Sequence, residues 1–125
     1  KQAGARKKPE RVEGTLSCEL PKTLVKKNDI HITSKRNFDC FQDTELDMLL
    51  KRTLNVKNII ICGVNTDTCV YGTTFGASNR GYNPIVIECC TGSMRGEDQH
   101  KTALKIMSQS IAWVMKKEEI LNKLN

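Results

Sequence analysis

Histidine, proline and aromatic residues are scarce in this chain of 125 residues, which has two His, three Pro, one Trp, two Tyr and three Phe. The two histidines, His31 and His100, lie far apart and have no ligand spacing, which argues against a histidine metal site. Its six cysteines are Cys18, Cys40, Cys62, Cys69, Cys89 and Cys90, and no two stand in C-x-x-C spacing. A zinc ribbon or dithiol redox motif is thereby excluded. Most of these thiols read as structural, Cys62 as a small hydrophobe in a strand, in a protein of the reducing cytoplasm. Long apolar runs are missing too: none approaches the roughly 18 residues of a membrane span. The start of the chain is basic without an apolar stretch, so it does not read as a secretory signal.

The charge is uneven. Lys1 to Arg36 holds ten basic and four acidic residues, whereas Asn37 to Asn125 holds ten of each, so the first part carries the whole net charge of +6. Lys and Arg are not interleaved with aromatics, and no zinc-finger or RNA-binding motif occurs. A solvated basic surface is therefore the better reading than a nucleic-acid interface. Absent or salt-insensitive DNA binding would exclude the latter. The length allows one core. Residues 1–14 read as a basic loop or lid segment, and residues 15–125 as part of a single α/β domain.

Hydrophobic periodicity sets out the elements. Asn28-Asp29 marks a turn, and Ile30-His31-Ile32-Thr33 alternates as a strand ending at Lys35. Thr44 opens a helix with Leu46, Leu49, Leu50 and Leu54 at helical spacing, and Asn55 ends it. Ile59 to Ile61 reads as a buried strand. A helix follows from about Asp67 to Asn79, stopped by Gly81, with small residues for close packing on the sheet. Pro84 to Ile87 is the next strand, followed by a helix over 97–108 with Ala103, Leu104 and Met107 inward. Ile111 to Met115 reads as a strand with Trp113 in packing, and Lys117 to Leu124 as a last helix. Alternating strands and helices predict a three-layer α/β/α domain with a mainly parallel, Rossmann-like sheet.

The chemistry concentrates at Cys69. The strand Ile59 to Ile61 leads through Gly63 into a turn where Thr66 or Asp67 can cap a helix, so Cys69 falls in the first helical turn. Free backbone N–H groups there favour a thiolate, and ligands bind at this edge of open α/β sheets. Lys35 follows the end of another expected strand and converges on the same crevice. On position alone Lys35 also reads as an ordinary exposed lysine, and Asp67 as a helix cap.

Lys35-Arg36-Asn37-Phe38-Asp39-Cys40-Phe41-Gln42-Asp43-Thr44-Glu45-Leu46, followed by Gly63-Val64-Asn65-Thr66-Asp67-Thr68-Cys69-Val70, resembles the isochorismatase-like cysteine hydrolases, among them nicotinamidases, carbamoylsarcosine amidases and biuret hydrolases. The similarity continues through Thr73, Ala77, Gly81-Tyr82, Val86, His100, Ala103 and Leu104, covering roughly residues 14–124. The resemblance implies a hydrolase of small amide or ureide C–N bonds that works through a thioester. Cys69 matches its nucleophile and Lys35 its catalytic lysine. Its oxyanion hole maps to the backbone N–H groups of Asn65 and Cys69, and a cis peptide maps to Val64–Asn65. Phe38, Phe41 and Asn65 match pocket positions, although Phe41 reads equally well as core and Asn65 as turn geometry. The resemblance implies a homo-oligomer acting on a small-molecule substrate, with no cofactor or membrane.

Two departures stand out. The family's general-base aspartate lies on a first strand that has no counterpart here, and Asp29, Asp39 and Asp43 do not match it. The second strand and the metal-ligand histidines of nicotinamidases are also without counterparts, so the N-terminal strands of the sheet are missing. A catalytically impaired relative or fragment that binds a small molecule or partner therefore remains the competing class.

Overall fold

A computed structural model describes residues 14–124; the expected basic loop falls almost wholly outside the described residues. The chain divides into two compact units, residues 1–31 and 32–125. In the first, a 3-10 turn spans Leu16–Cys18. The expected turn is present: Lys26 N–H donates to the Asp29 carboxylate at 2.7 Å, and Asp29 N–H returns to the Lys26 carbonyl at 3.1 Å.

The second unit is built on a parallel sheet of β1 (Asn58–Val64), β2 (Asn83–Gly92) and β3 (Trp113–Met115), in that order. Helices α1 (Leu46–Met48), α2 (Tyr71–Asn79), α3 (Glu97–Ser110) and α4 (Lys117–Leu124) alternate with the strands. Wide turns with i→i+5 hydrogen bonds extend α1 through Leu49–Thr53 and precede α2 at Thr66–Val70. The order predicted from periodicity is thus present from Leu46 onward. Residues 30–33, expected as a strand, carry no strand pairing. A parallel strand needs a neighbour to accept and donate its backbone bonds; β1 pairs only with β2 among the described residues, and its outer edge stands open.

One core lies between the sheet and α2 and α3. Phe41, Ile61, Val70, Ala77, Tyr82, Val86, Ala103, Leu104 and Met107 form it. Phe41 stacks on Tyr82 with ring centroids 5.5 Å apart, and the Arg80 guanidinium lies 5.0 Å from the Phe41 ring. The Tyr82 hydroxyl donates to Asp47 at 2.8 Å, which fastens α1 to the core. Burial and the Asp47 carboxylate push the Tyr82 phenol up to about 12.

Strand alternation assigns the two faces. Val86 faces α2 and α3, whereas Ile87 turns to the opposite face, where α4 contacts β2 and buries Ile120. That second layer stops at β2. Ile61 is buried, but Ile60 is 45% exposed, Val64 57% exposed, and Cys62 also exposed. The reading of Ile59 to Ile61 as buried and of Cys62 as packed is corrected on this point: no helix among the described residues covers that face of β1. Trp113 is corrected likewise. It is 70% exposed, because alternation sends Val114, not Trp113, toward the core. Leu54, just past the wide turn, is exposed as well. No described helix is long and apolar enough to cross a membrane.

The end of α2 shows how sequence closes a helix. Gly81 takes φ +81°, its N–H reaches the Ser78 carbonyl at 3.0 Å, and Tyr82 N–H reaches Ala77 at 3.1 Å. This is a Schellman cap, and glycine supplies the left-handed residue without strain. The small residues of α2 serve a closer approach than expected. Ala77 and Thr74 face the core, but Gly72, Thr73 and Gly76 receive the segment 38–40 rather than the sheet. Thr73 Oγ1 accepts from Cys40 N–H at 3.2 Å and donates to the Phe38 carbonyl at 3.3 Å. The Asp39 carboxylate lies where a Cβ of residue 76 would be, and pairs with Arg80 at 3.2 Å.

Gly76→Ala should therefore force Asp39 off α2 and lower stability by about 1–3 kcal/mol, as overpacking does. Gly92→Ala, with nothing within 4 Å of its added Cβ, should stay within about 0.5 kcal/mol. Urea midpoints of the two variants check this; equal midpoints would mean that Asp39 is not held against Gly76.

Candidate active site

β1 ends in a change of direction. Gly63 takes φ +129°, a value that residues with side chains rarely adopt, and the Val64–Asn65 peptide bond is cis, as the resemblance implies. The wide turn Thr66–Val70 follows at once, and Cys69 sits in it, half-buried. Thr68 and Val70, on either side of Cys69, both donate their N–H groups to the Asn65 carbonyl, at 3.2 and 3.1 Å. Tyr71 N–H reaches back five residues to the Thr66 carbonyl. Such wide turns recur at functional sites. The thiol thus stands at the C-terminal end of β1 and at the entry to α2, as expected from the pattern around Gly63.

Four hydrogen bonds fix this turn from outside. The Asn65 side-chain oxygen accepts from Met94 N–H at 2.9 Å. Asp67 accepts from Ser93 Oγ at 2.6 Å and from Arg95 Nη1 at 2.5 Å. Thr66 Oγ1 and His100 Nδ1 share a hydrogen bond of 2.8 Å, with Thr66 fully buried and His100 nearly so. The arm that leaves β2 and the first turn of α3 therefore hold the Cys69 turn between them. The Ser93 hydrogen bond and the Arg95 guanidinium hold the Asp67 carboxyl below the usual carboxylate range.

Asp67 is thus a tie to the 93–95 turn and not a helix cap; the residue at the cap position is Asn65, whose side chain makes no capping bond. Loop residues such as Ser93 and Arg95 have no period, and nothing in the sequence marks them. His100 is different. It continues the inward positions Ala103, Leu104 and Met107 at helical spacing, so the face of α3 already contained it.

Lys35 is exposed, and Arg36 Nη1 caps the carbonyls of Thr33 and Lys35 at 2.7 and 3.1 Å. The segment that follows is anchored to α2 through Asp39, Cys40 and Thr73, and Ser34 donates to the Glu45 carboxylate. Phe38 is 61% exposed. Phe41 is buried at 4%, and its ring serves the core through Tyr82. Burial pushes the Cys40 thiol up, which makes it a poor nucleophile. Asp39 is engaged with Arg80, Asp47 with Tyr82 and Lys51, and Asp67 with Ser93 and Arg95. No cluster of three or more His, Cys, Asp or Glu among the described residues is arranged to hold a metal ion.

Lowering of the Asp67 pKa makes a pH-dependent contribution with a definite sign. Its folded value lies below the ordinary 3.8. The stabilisation is therefore complete above that value and is lost as pH falls through the lower, folded one. Asp67→Asn should cost on the order of 1 kcal/mol at pH 6, since the exposed Arg95 is screened. The gap between wild type and variant should shrink as pH falls from 6 to 3. Urea midpoints across that range test it, and a gap independent of pH would exclude the ion pair as its source.

The isochorismatase domain profile matches residues 1–119. An uncharacterised isochorismatase family protein of Escherichia coli O157:H7, YecD, is 33% identical over 97 residues, which are 78% of this chain and 50% of that protein. YwoC of Bacillus subtilis, also uncharacterised, is 28% identical over 105 residues, 84% of this chain and 54% of that one. The chain thus spans about half the length of these curated relatives. The crystal structure of an isochorismatase-like hydrolase from Alkaliphilus metalliredigens matches with TM-score 0.84 and 27% identity, over 92% of this chain and 63% of that one. A nicotinamidase from Staphylococcus aureus matches with TM-score 0.62 and 35% identity, over 66% of this chain and 50% of that one.

Proposed function

Because the chain belongs to the isochorismatase family, we propose that it is the thiol-bearing portion of a cysteine amidohydrolase that cleaves the C–N bond of a small amide or ureide. The observation that carries this reading is the placement of Cys69. It stands in a wide turn at the C-terminal end of β1, with the N–H groups on either side of it gathered on the Asn65 carbonyl. The nicotinamidase likeness supports an amide as the substrate class.

In this reading Cys69 Sγ attacks the amide carbonyl carbon, and the C–N electron pair leaves with a proton as ammonia or an amine. The backbone N–H groups of Asn65 and Cys69 receive the charge on the carbonyl oxygen. In studied hydrolases one such donor is worth roughly 2.7–4 kcal/mol. Water then cleaves the thioester and restores the thiol. Lys35 supplies positive charge beside the thiol and the leaving group, and Phe38 forms part of the pocket wall. The enzyme works in the cytoplasm as a homo-oligomer.

The mechanism also needs a general base. Asp39, Asp47 and Asp67 are each committed to structural partners. The resemblance puts the base on a first strand that has no counterpart here, and the open edge of β1 is where such a strand would add. The same commitment of carboxylates favours the second reading, in which the chain alone binds a small amide without turning it over.

The test is selective alkylation. With substoichiometric iodoacetamide at pH 7, peptide mass spectrometry should find Cys69 labelled ahead of Cys18, although Cys18 is the more exposed. Labelling of Cys69 no faster than Cys18 would sink the nucleophile assignment. Where amide turnover is measured, Cys69→Ala should lower kcat by on the order of 10³-fold or more. Fast labelling without turnover of any small amide would select the binding reading for this chain.

A further inference from the structure

The pair Cys89-Cys90 takes no part in the chemistry above. Successive residues of a regular strand point to opposite faces, so adjacent cysteines in a strand hold their thiols apart. Here the strand is not regular. Between the pairs Ile61↔Val86 and Gly63↔Thr91, β1 advances by two residues while β2 advances by five. The surplus residues bulge out of the ladder, as unpaired residues do, and Cys89 and Cys90 are among them. Both side chains are exposed, both thiols are free, and their sulfur atoms lie 4.0 Å apart.

Beside Cys89, though not lined by Cys90, opens a cavity of about 390 Å³ whose wall also holds Glu88, Thr91, Glu97, His100 and Glu118 among others. The Cys69 thiol is not part of its wall.

We propose that Cys89 and Cys90 form a vicinal dithiol site for soft, trivalent thiophilic centres, of which organic arsenic(III) oxides are the chemical class. A direct sulfur–sulfur bond requires about 2.0 Å and must close across a single peptide link. One bridging atom bound to both sulfurs spans the observed gap with less movement. Soft thiolate donors select soft centres, and the cavity gives the organic substituent a place to lie. The reaction is a condensation. Two S–H bonds break and two arsenic–sulfur bonds form. The arsenic oxygen leaves with both protons as water. Arsenic stays trivalent, so no oxidant or reductant is consumed. Partial desolvation and the hydrogen bond with Cys90 push the Cys89 thiol up, which slows simple alkylation, a reaction of the thiolate, and leaves two-point capture as the distinguishing behaviour of the pair. The site does not depend on the amidohydrolase reading.

The experiment treats the full chain with one equivalent of phenylarsine oxide. Intact mass should rise by one reagent minus one water. The adduct should survive a monothiol wash and be removed by an excess of a small dithiol. Exhaustive iodoacetamide mapping should find Cys89 and Cys90 labelled in the untreated chain and protected in the adduct, with Cys18 and Cys69 labelled in both. Cys89→Ser and Cys90→Ser should each weaken capture at least 100-fold, whereas Cys62→Ser should not. Protection of any other pair, a monothiol-labile adduct, or undiminished capture by Cys89→Ser would overturn the proposal. The mapping is done on the unaltered chain, so the result stands even where a variant fails to fold.

Discussion

The turn that carries Cys69 enters the core only through Val70, and its polar residues depend on the arm that runs from the end of β2 into α3. Thr91 and Gly92 pair with Gly63 and Val64. The next residues then take hold of the turn beyond: Met94 through Asn65, Ser93 and Arg95 through Asp67, and His100 through the buried Thr66. Parallel pairing thus continues past the sheet as a set of side-chain bonds. A thiol at the tip of a strand is fixed only as well as the neighbouring strand's exit loop allows.

A second constraint acts from the other side. The segment after Lys35 has no regular structure before Leu46, yet it is held on α2 by Asp39, Cys40 and Thr73. That contact is possible because α2 presents glycine where a side chain would stand. Low side-chain volume on one face of α2 lets an irregular segment approach as closely as a packed strand; its backbone finds a partner in Thr73 and its Asp39 carboxylate one in Arg80. The same helix therefore begins at the proposed nucleophile and anchors the segment that carries the proposed lysine.

Much of this was legible in the sequence where a period exists. The helices over α2, α3 and α4 and the strands β1 and β2 follow from apolar spacing, and Gly81 and Asn55 mark ends that the backbone confirms with positive φ. The errors have a common cause. Composition alone assigns Ile30 to Thr33, Cys62 and Trp113 to pairing or packing, but burial is decided by what lies opposite. Here one edge and part of one face of the sheet have nothing opposite them among the described residues. Polar ties were harder still. Asp67 has the chemistry of a cap, and only its distance to Ser93 and Arg95 tells the two roles apart.

The strand β1 has one further consequence. Asn58–Val64 is a seven-residue run without charge or proline, rich in β-branched side chains, and its outer edge is unpaired among the described residues. Natural sheets blunt such edges with lysine, proline or a covering element. Left uncovered, this run has the composition of the segments that stack into fibrils. Each open edge is then a template for the next chain to join, so a solution stays dispersed for a shorter time as its concentration rises.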